Sequence, residues 1–205
     1  MLLQVLAVLY ILGRGNYFDD ITQMTFMSEK TIQRVFHAFT KRFSRELFST
    51  WVVLPTGADL KKVMNDYDDL GFTGAMGSTD VTHVHWQGAP FSQRRSYTGK
   101  EGYPTLAYEC TVDHSGRVLA CTRGFPGAQN DKTIVRFDGF VHELKEGIYK
   151  DIEFTLKDAA GREYKVKGLY TIVDGGYHLV SFFFSVFVLY DACNDSGSIF
   201  SPKYV

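Results

Sequence analysis

Gly77-Ser78-Thr79-Asp80-Val81-Thr82-His83-Val84-His85-Trp86 is the stretch whose reading decides the fold. After Asp80, apolar Val81, Val84 and Trp86 are interleaved with Thr82, His83 and His85, and β-branched residues are frequent. Such a pattern suits a strand with at least one buried face, and it sets Asp80 inside that strand. A carboxylate buried there needs a partner, commonly a cation, a hydrogen-bond network or a metal. The plainer alternative is an aspartate capping a turn after Gly77-Ser78. Similar aspartates at Asp131 and Asp174 favour the metal.

Outward from this stretch, the 205 residues, 45% hydrophobic and 22% charged, are enough to bury a core in one domain with a small appendage. The formal net charge of -1 carries no global basic signature, so contact with nucleic acid has to come from local patches. Cys110, Cys121 and Cys193 are odd in number and lack CxxC spacing, which indicates neither a disulfide framework nor a zinc site. A reducing compartment is the default. Met1 to Leu12 has the length of a signal-peptide core, but no Lys or Arg precedes it and no small-residue cleavage pattern follows. The run Leu179 to Tyr190 is too short for a bilayer, which needs about 20 apolar residues. It reads as a buried element or as damaged sequence, and no membrane association is expected.

Residues 1–54 read as a helical segment. An apolar helix over Leu2 to Leu12 begins abruptly, as if an upstream packing element were missing. A second helix spans Phe18 to Thr25, with Asp19 and Asp20 near its positive end. A third starts after Ser28, a good N-cap, and carries Ile32, Val35, Phe36 and Phe39 at helical spacing. Helix, tight turn, helix resembles a helix-turn-helix. The opposite face of the third helix carries Lys30, Gln33, Arg34, His37 and Lys41, side chains suited to phosphates and base edges in a major groove. The alternative is an ordinary solvated face.

Residues 55–205 change character. A helix over Asp59 to Leu70 leads into strands at Asp80 to Trp86, Tyr103 to Val112 and Arg117 to Thr122. The last two are joined by Asp113-His114-Ser115-Gly116, a strong hairpin signal. The sequence Gly124-Phe125-Pro126-Gly127 reads as a turn. Asn130 then caps a helix that runs to about Phe137, with Asp131 in its first turn. A polar hairpin over Tyr149 to Val166 turns at Asp158-Ala159-Ala160-Gly161, and a buried strand over Leu169 to Val173 ends at Asp174. Asp113, Asp138 and Asp158 read as turn or surface residues. Three strands, a helix and a further strand ending in an acid match the order of a ribonuclease H-like α/β sheet, in which the first and fourth strands lie side by side. Asp80 and Asp174 meet in such a sheet.

Magnesium is commonly held by one or two carboxylates plus substrate phosphates, and a pair of such ions supports in-line displacement at phosphorus. Asp80 and Asp174 are the expected pair, with Asp131 as a further ligand or an organiser. Gly77-Ser78-Thr79-Asp80-Val81-Thr82-His83, Tyr97-x-Gly-Lys-Glu-Gly-Tyr-Pro-Thr105, Val112-Asp113-x-x-Gly116-Arg117-Val118, Pro126-Gly127-x-x-Asn130-Asp131 and Val173-Asp174-Gly175-Gly176-Tyr177 follow one another in this order. This string resembles PIF/Harbinger-type DDE transposases over roughly Pro55 to His178.

The resemblance implies a metal-dependent endonuclease that cuts and rejoins DNA at transposon ends with Mg2+ or Mn2+, working in the nucleus. It leaves room for a separate DNA-binding partner protein and for a homo-oligomer. The family's acids fall on Asp80, Asp131 and Asp174. Its later glutamate has no counterpart: no Glu occurs from Gly175 to Val205, where only Asp191 and Asp195 are acidic. Either the chain is a truncated or mis-spliced copy that departs from the family near residue 179, or an acid such as Asp191 substitutes. Weak or absent nuclease activity is expected of the chain as written, and a catalytically dead DNA-binding or protein-interaction remnant is the alternative.

Other residues carry weaker signals. Arg94, Arg95 and Lys100 read as a basic loop suited to phosphate, or as a solvated one. A phosphohydrolase site of Asp80, His83 and Asp174 is a third reading, although His83 and His85 differ in strand parity from Asp80. Cys110 and Cys121 read as packing residues on adjacent strands.

Overall fold

The structure, a computed structural model, describes residues 2–157, 161–174 and, as backbone, 188–190. The chain divides into two compact units, Met1–Trp51 and Val52–Val205.

The first unit is helical: α1 (Leu2–Arg14), α2 (Phe18–Thr25), α3 (Glu29–Glu46) and the short α4 (Phe48–Trp51). Asp19 and Asp20 lie in the first turn of α2, where the Asp20 carboxylate accepts from the Tyr17 N–H at 3.2 Å. Ser28 caps α3 by accepting from the Thr31 N–H at 3.3 Å. Ala7, Ile21 and Ile32, one from each of the long helices, form the core with Ile11, Phe18 and Met27 packed against them. Phe18 meets Phe36 edge to face at 5.6 Å. Between α2 and α3, Phe26 turns the chain with a left-handed backbone, φ 56.

The second unit is a mixed α/β fold. Helix α5 (Gly57–Asp68) precedes β1 (Ala75–His85); a 3-10 turn and α6 (Arg94–Tyr97) lead to β2 (Thr105–Val112), β3 (Val118–Cys121) and the two-residue β4 (Phe125–Pro126). Next come α7 (Asp131–Ile134), continued by a 3-10 turn to Phe137, and α8 (Gly139–Lys145). Strands β5 (Glu153–Lys157) and β6 (Glu163–Lys167) form a separate hairpin, and β7 (Tyr170–Asp174) and β8 (Val188–Tyr190) complete the main sheet. Its order is β3-β2-β1-β7-β8, with β4 also on β2. β2 runs antiparallel to β1 and β3, whereas β7 is parallel to β1 and β8 parallel to β7.

Alternation along the strands separates two faces. Val81 on β1, Ala107 on β2 and Val173 on β7 pack against Phe125, Ile134, Val135 and Val141, so α7 and α8 cover that side. Residues of opposite parity, Ser78, Tyr170 and Ile172, face α5, where the Tyr67 hydroxyl lies 3.0 Å from Ser78 Oγ.

Several sequence expectations change here. β1 begins at Ala75 rather than Asp80, so Gly77 and Ser78 are strand residues and not a turn. The ladder holds them there, with Gly77 opposite Thr171 and Ser78 opposite both Val112 and Ile172, and the fit suits glycine: a Cβ on Gly77 would sit 2.8 Å from Thr111 Cγ2 and 3.2 Å from the Val112 carbonyl. Phe125 and Pro126 pair with β2 instead of forming a plain turn. Helix α8 was not foreseen, and Asp138, read as a turn or surface residue, is its buried N-cap, accepting from the Phe140 N–H at 2.9 Å. Residues 158–160, 175–187 and 191–205, with most of the expected turn at Asp158-Ala159-Ala160-Gly161, the motif residues Gly175, Gly176 and Tyr177, and Asp191, Asp195 and Cys193, lie outside the described residues. Among those described, no helix is long and apolar enough to cross a membrane.

Candidate functional site

The site forms where β1 and β7 run in parallel. The pairing Ala75↔Tyr170, Gly77↔Thr171, Ser78↔Ile172 sets the level of the two strands. Two residues beyond Ser78 and Ile172 stand Asp80 and Asp174, on the same face by strand parity and both exposed. The fourth-strand acid therefore comes beside the first-strand acid through a register that spans most of the unit's sequence. β2 continues the row on the other side: Asp80 pairs with Cys110, and Cys110 with Cys121 on β3.

Asp80 is not the buried acid that its sequence setting suggested. Its carboxylate is exposed and accepts from the Val81 N–H at 2.7 Å, so no burial penalty demands a partner. The buried acid is Glu109, one residue along β2 from Cys110, with 0% exposure. It faces the α7 side with Val81, its cross-strand partner, and neither carboxylate oxygen has a hydrogen-bond partner. Burial, with added repulsion from Asp138, Asp131 and Asp80, pushes its carboxyl up to about 8. The strand's sequence pattern points the other way, because Leu106, Tyr108, Cys110 and Val112 form its more apolar set and yet are only partly buried. Glu109 shares its parity with Thr105, Ala107 and Thr111, which are all buried.

Asp131 sits in the first turn of α7, after Asn130, whose side chain accepts from the Lys132 N–H at 2.9 Å. Ile134 of that helix belongs to the Val81 core, so α7 packs on the sheet face opposite Asp80 and Asp174. Asp131 is 3.8 Å from Lys100 Nζ. Arg94 and Arg95 are exposed on α6, a helical turn rather than a loop, started by Pro90, whose carbonyl accepts from the Gln93 and Arg94 N–H groups. Arg94 Nε also donates to the Ala89 carbonyl at 3.3 Å. Trp86 packs edge-on against Tyr97 at 4.8 Å, and Gly99 has no room for a side chain beside Gly127. These contacts hold the basic segment against the loop that precedes α7.

His83 lies on the Val81 face, where Nδ1 is 2.9 Å from Thr105 Oγ1 and Nε2 is buried without a partner. A site combining His83 with Asp80 and Asp174 would have to reach through the sheet. Among the described residues, no three His, Cys, Asp or Glu side chains gather closely enough to hold a metal ion. The structure thus brings together Asp80 and Asp174 and leaves Asp131 and His83 on the other face. Two adjacent exposed carboxylates do fit the protein's share of a magnesium shell, which takes one or two carboxylates with water and phosphate oxygens.

In the first unit, Lys30, Arg34, His37 and Lys41 are exposed along α3. Gln33 is half-buried and donates to the Glu29 carboxylate at 2.8 Å.

A family model described as plant transposon protein matches residues 49–189, more than half of the chain. The chain belongs to the plant transposon protein family. No curated protein and no solved structure matches it. As a plant transposon protein it keeps its family likeness beyond His178, to residue 189, and β8 at Val188–Tyr190 pairs with β7. Both observations weigh against a departure from the family at residue 179.

Proposed function

We propose that the second unit is a ribonuclease H-like nuclease domain of the PIF/Harbinger DDE type and that α2 and α3 form a helix-turn-helix for duplex DNA. The observation that carries this reading is the pair Asp80 and Asp174, at equivalent positions on adjacent parallel strands and exposed on one face. The strand order β3-β2-β1-β7-β8 with β2 antiparallel supports the same fold. Asp80 and Asp174 would hold Mg2+ or Mn2+, which when bound polarises phosphoryl oxygens and supplies an activated water. The residues of the chain orient the two carboxylates, while Arg94, Arg95 and Lys100 receive DNA phosphates and Asp131 positions Lys100. The substrate is DNA at transposon ends, in the nucleus, with a separate DNA-binding protein or a second copy of the chain as the assembly partner.

Asp80 and Asp174 are the residues on which this reading turns. The test therefore reads the metal site directly. Iron(II) with ascorbate, standing in for magnesium, is expected to cut the backbone by locally formed hydroxyl radicals near residues 80 and 174. Asp80→Asn and Asp174→Asn should each abolish both cuts. Cutting that ignores these substitutions would overturn the assignment.

Among the described residues no third His, Cys, Asp or Glu side chain joins Asp80 and Asp174, which favours a second reading, a DNA-binding remnant without catalysis. Under it, salt-dependent DNA affinity survives metal removal and Asp80→Asn, and the iron-dependent cuts are absent.

A further inference from the structure

Cys110 and Cys121 stand directly opposite each other on β2 and β3, and their sulfurs are 3.0 Å apart. The neighbouring pair, Glu109 and Thr122, is linked by a backbone bond from the Thr122 N–H to the Glu109 carbonyl at 2.9 Å. Because hydrogen-bonded and non-hydrogen-bonded pairs alternate along an antiparallel ladder, the cysteines occupy a non-hydrogen-bonded pair. Cα atoms in such a pair are about 4.5 Å apart, inside the span a disulfide requires. Both cysteines are free and only half-buried, so a small reagent can reach them. Through the Asp80↔Cys110 pairing they share the face and level of Asp80.

We propose that Cys110 and Cys121 form a reversible dithiol/disulfide site in the row beside Asp80, closed by a small-molecule disulfide such as oxidised glutathione. The Cys121 sulfur, as thiolate, attacks one sulfur of the reagent, forming a mixed disulfide and expelling the first glutathione thiolate. Cys110 then attacks the Cys121 sulfur, forming the intrachain bond and expelling the second. The two thiol protons end on the two glutathione molecules, the protein is oxidised by two electrons and the reagent is reduced by two. The same two steps balance with the sulfurs exchanged, because either sulfur of the pair can donate the hydrogen bond between them.

The test uses the full chain, incubated with oxidised glutathione, alkylated and digested with trypsin. Cleavage after Lys100, Arg117 and Arg123 separates Cys110, in residues 101–117, from Cys121, in residues 118–123. Expected are these two peptides joined by a disulfide, a fall in alkylatable thiols from three to one, and full reversal by dithiothreitol. Cys110→Ser should instead accumulate a stable glutathione adduct on Cys121. A stable adduct on Cys121 in the unaltered chain, a crosslink to Cys193, or all thiols still alkylatable would each overturn the proposal.

Discussion

With both carboxylate oxygens of Glu109 buried and unpaired, its protonation is tied to folding. The folded state keeps the proton up to about 8, while the unfolded chain releases it in the ordinary carboxylate range. Between these limits the folded state binds more protons, so stability falls as pH rises, by up to ~1.4 kcal/mol per pH unit, and the slope ends once both states are ionised. Glu109→Gln should remove this slope, so its advantage over the unaltered chain grows across the window to at most about 5 kcal/mol. Urea midpoints that run parallel for the two proteins from about pH 5 to about pH 9 would show that Glu109 is not held neutral. At the turn between α2 and α3, Phe26 is 94% exposed and holds φ 56, a conformation disfavoured for a residue with a Cβ. Phe26→Gly is expected to stabilise the first unit by about 1 kcal/mol, read as a higher thermal midpoint.

Among elements, the β2–β3 hairpin and α8 draw on the same chemistry, a carboxylate accepting backbone N–H groups. Asp113 Oδ1 accepts from the Ser115 N–H, the Ser115 hydroxyl and the Arg117 N–H, and Oδ2 accepts from the Arg117 guanidinium at 3.0 Å. Burial alone would raise the Asp113 carboxyl, but these donors outweigh it and hold the group below its ordinary value. Arg117 also reaches Asp59 on α5 at 2.9 Å, tying the turn to a helix far away in sequence. Asp138 caps α8 in the same manner, but its burial dominates and pushes its carboxyl up. Asp138→Asn preserves the cap and removes a charge near Glu109, so it should be nearly neutral in stability. Asp138→Ala should cost about 1–2 kcal/mol. Equal losses in the two variants, by chemical denaturation, would assign the effect to charge rather than to the cap.

For the whole molecule, a chain with a net charge of -1 can bind DNA only through a local surface. If α3 is that surface, the log of DNA affinity falls linearly with log salt, and replacing Lys30, Arg34 or Lys41 by alanine flattens the slope by about 0.9 for each phosphate no longer neutralised. Alanine substitutions that leave the slope unchanged would make this an ordinary solvated helix face. The caps at Ser28 and Asn130 and the Asp113–Gly116 turn were legible in the sequence, because each depends on residues a few positions apart. The element order also pointed to β1 and β7 as neighbours, and they are. Helix α8 was harder to read: it is a short element whose buried cap resembles any turn aspartate. What the sequence by itself determined is therefore local: where helices start and where a hairpin turns. Only the tertiary structure decided that Gly77 belongs inside β1, that Asp80 is exposed while Glu109 is buried, and that Asp131 lies across the sheet from Asp80. Those outcomes depend on which face of the sheet α5, α7 and α8 cover, a choice set by packing among residues distant in sequence.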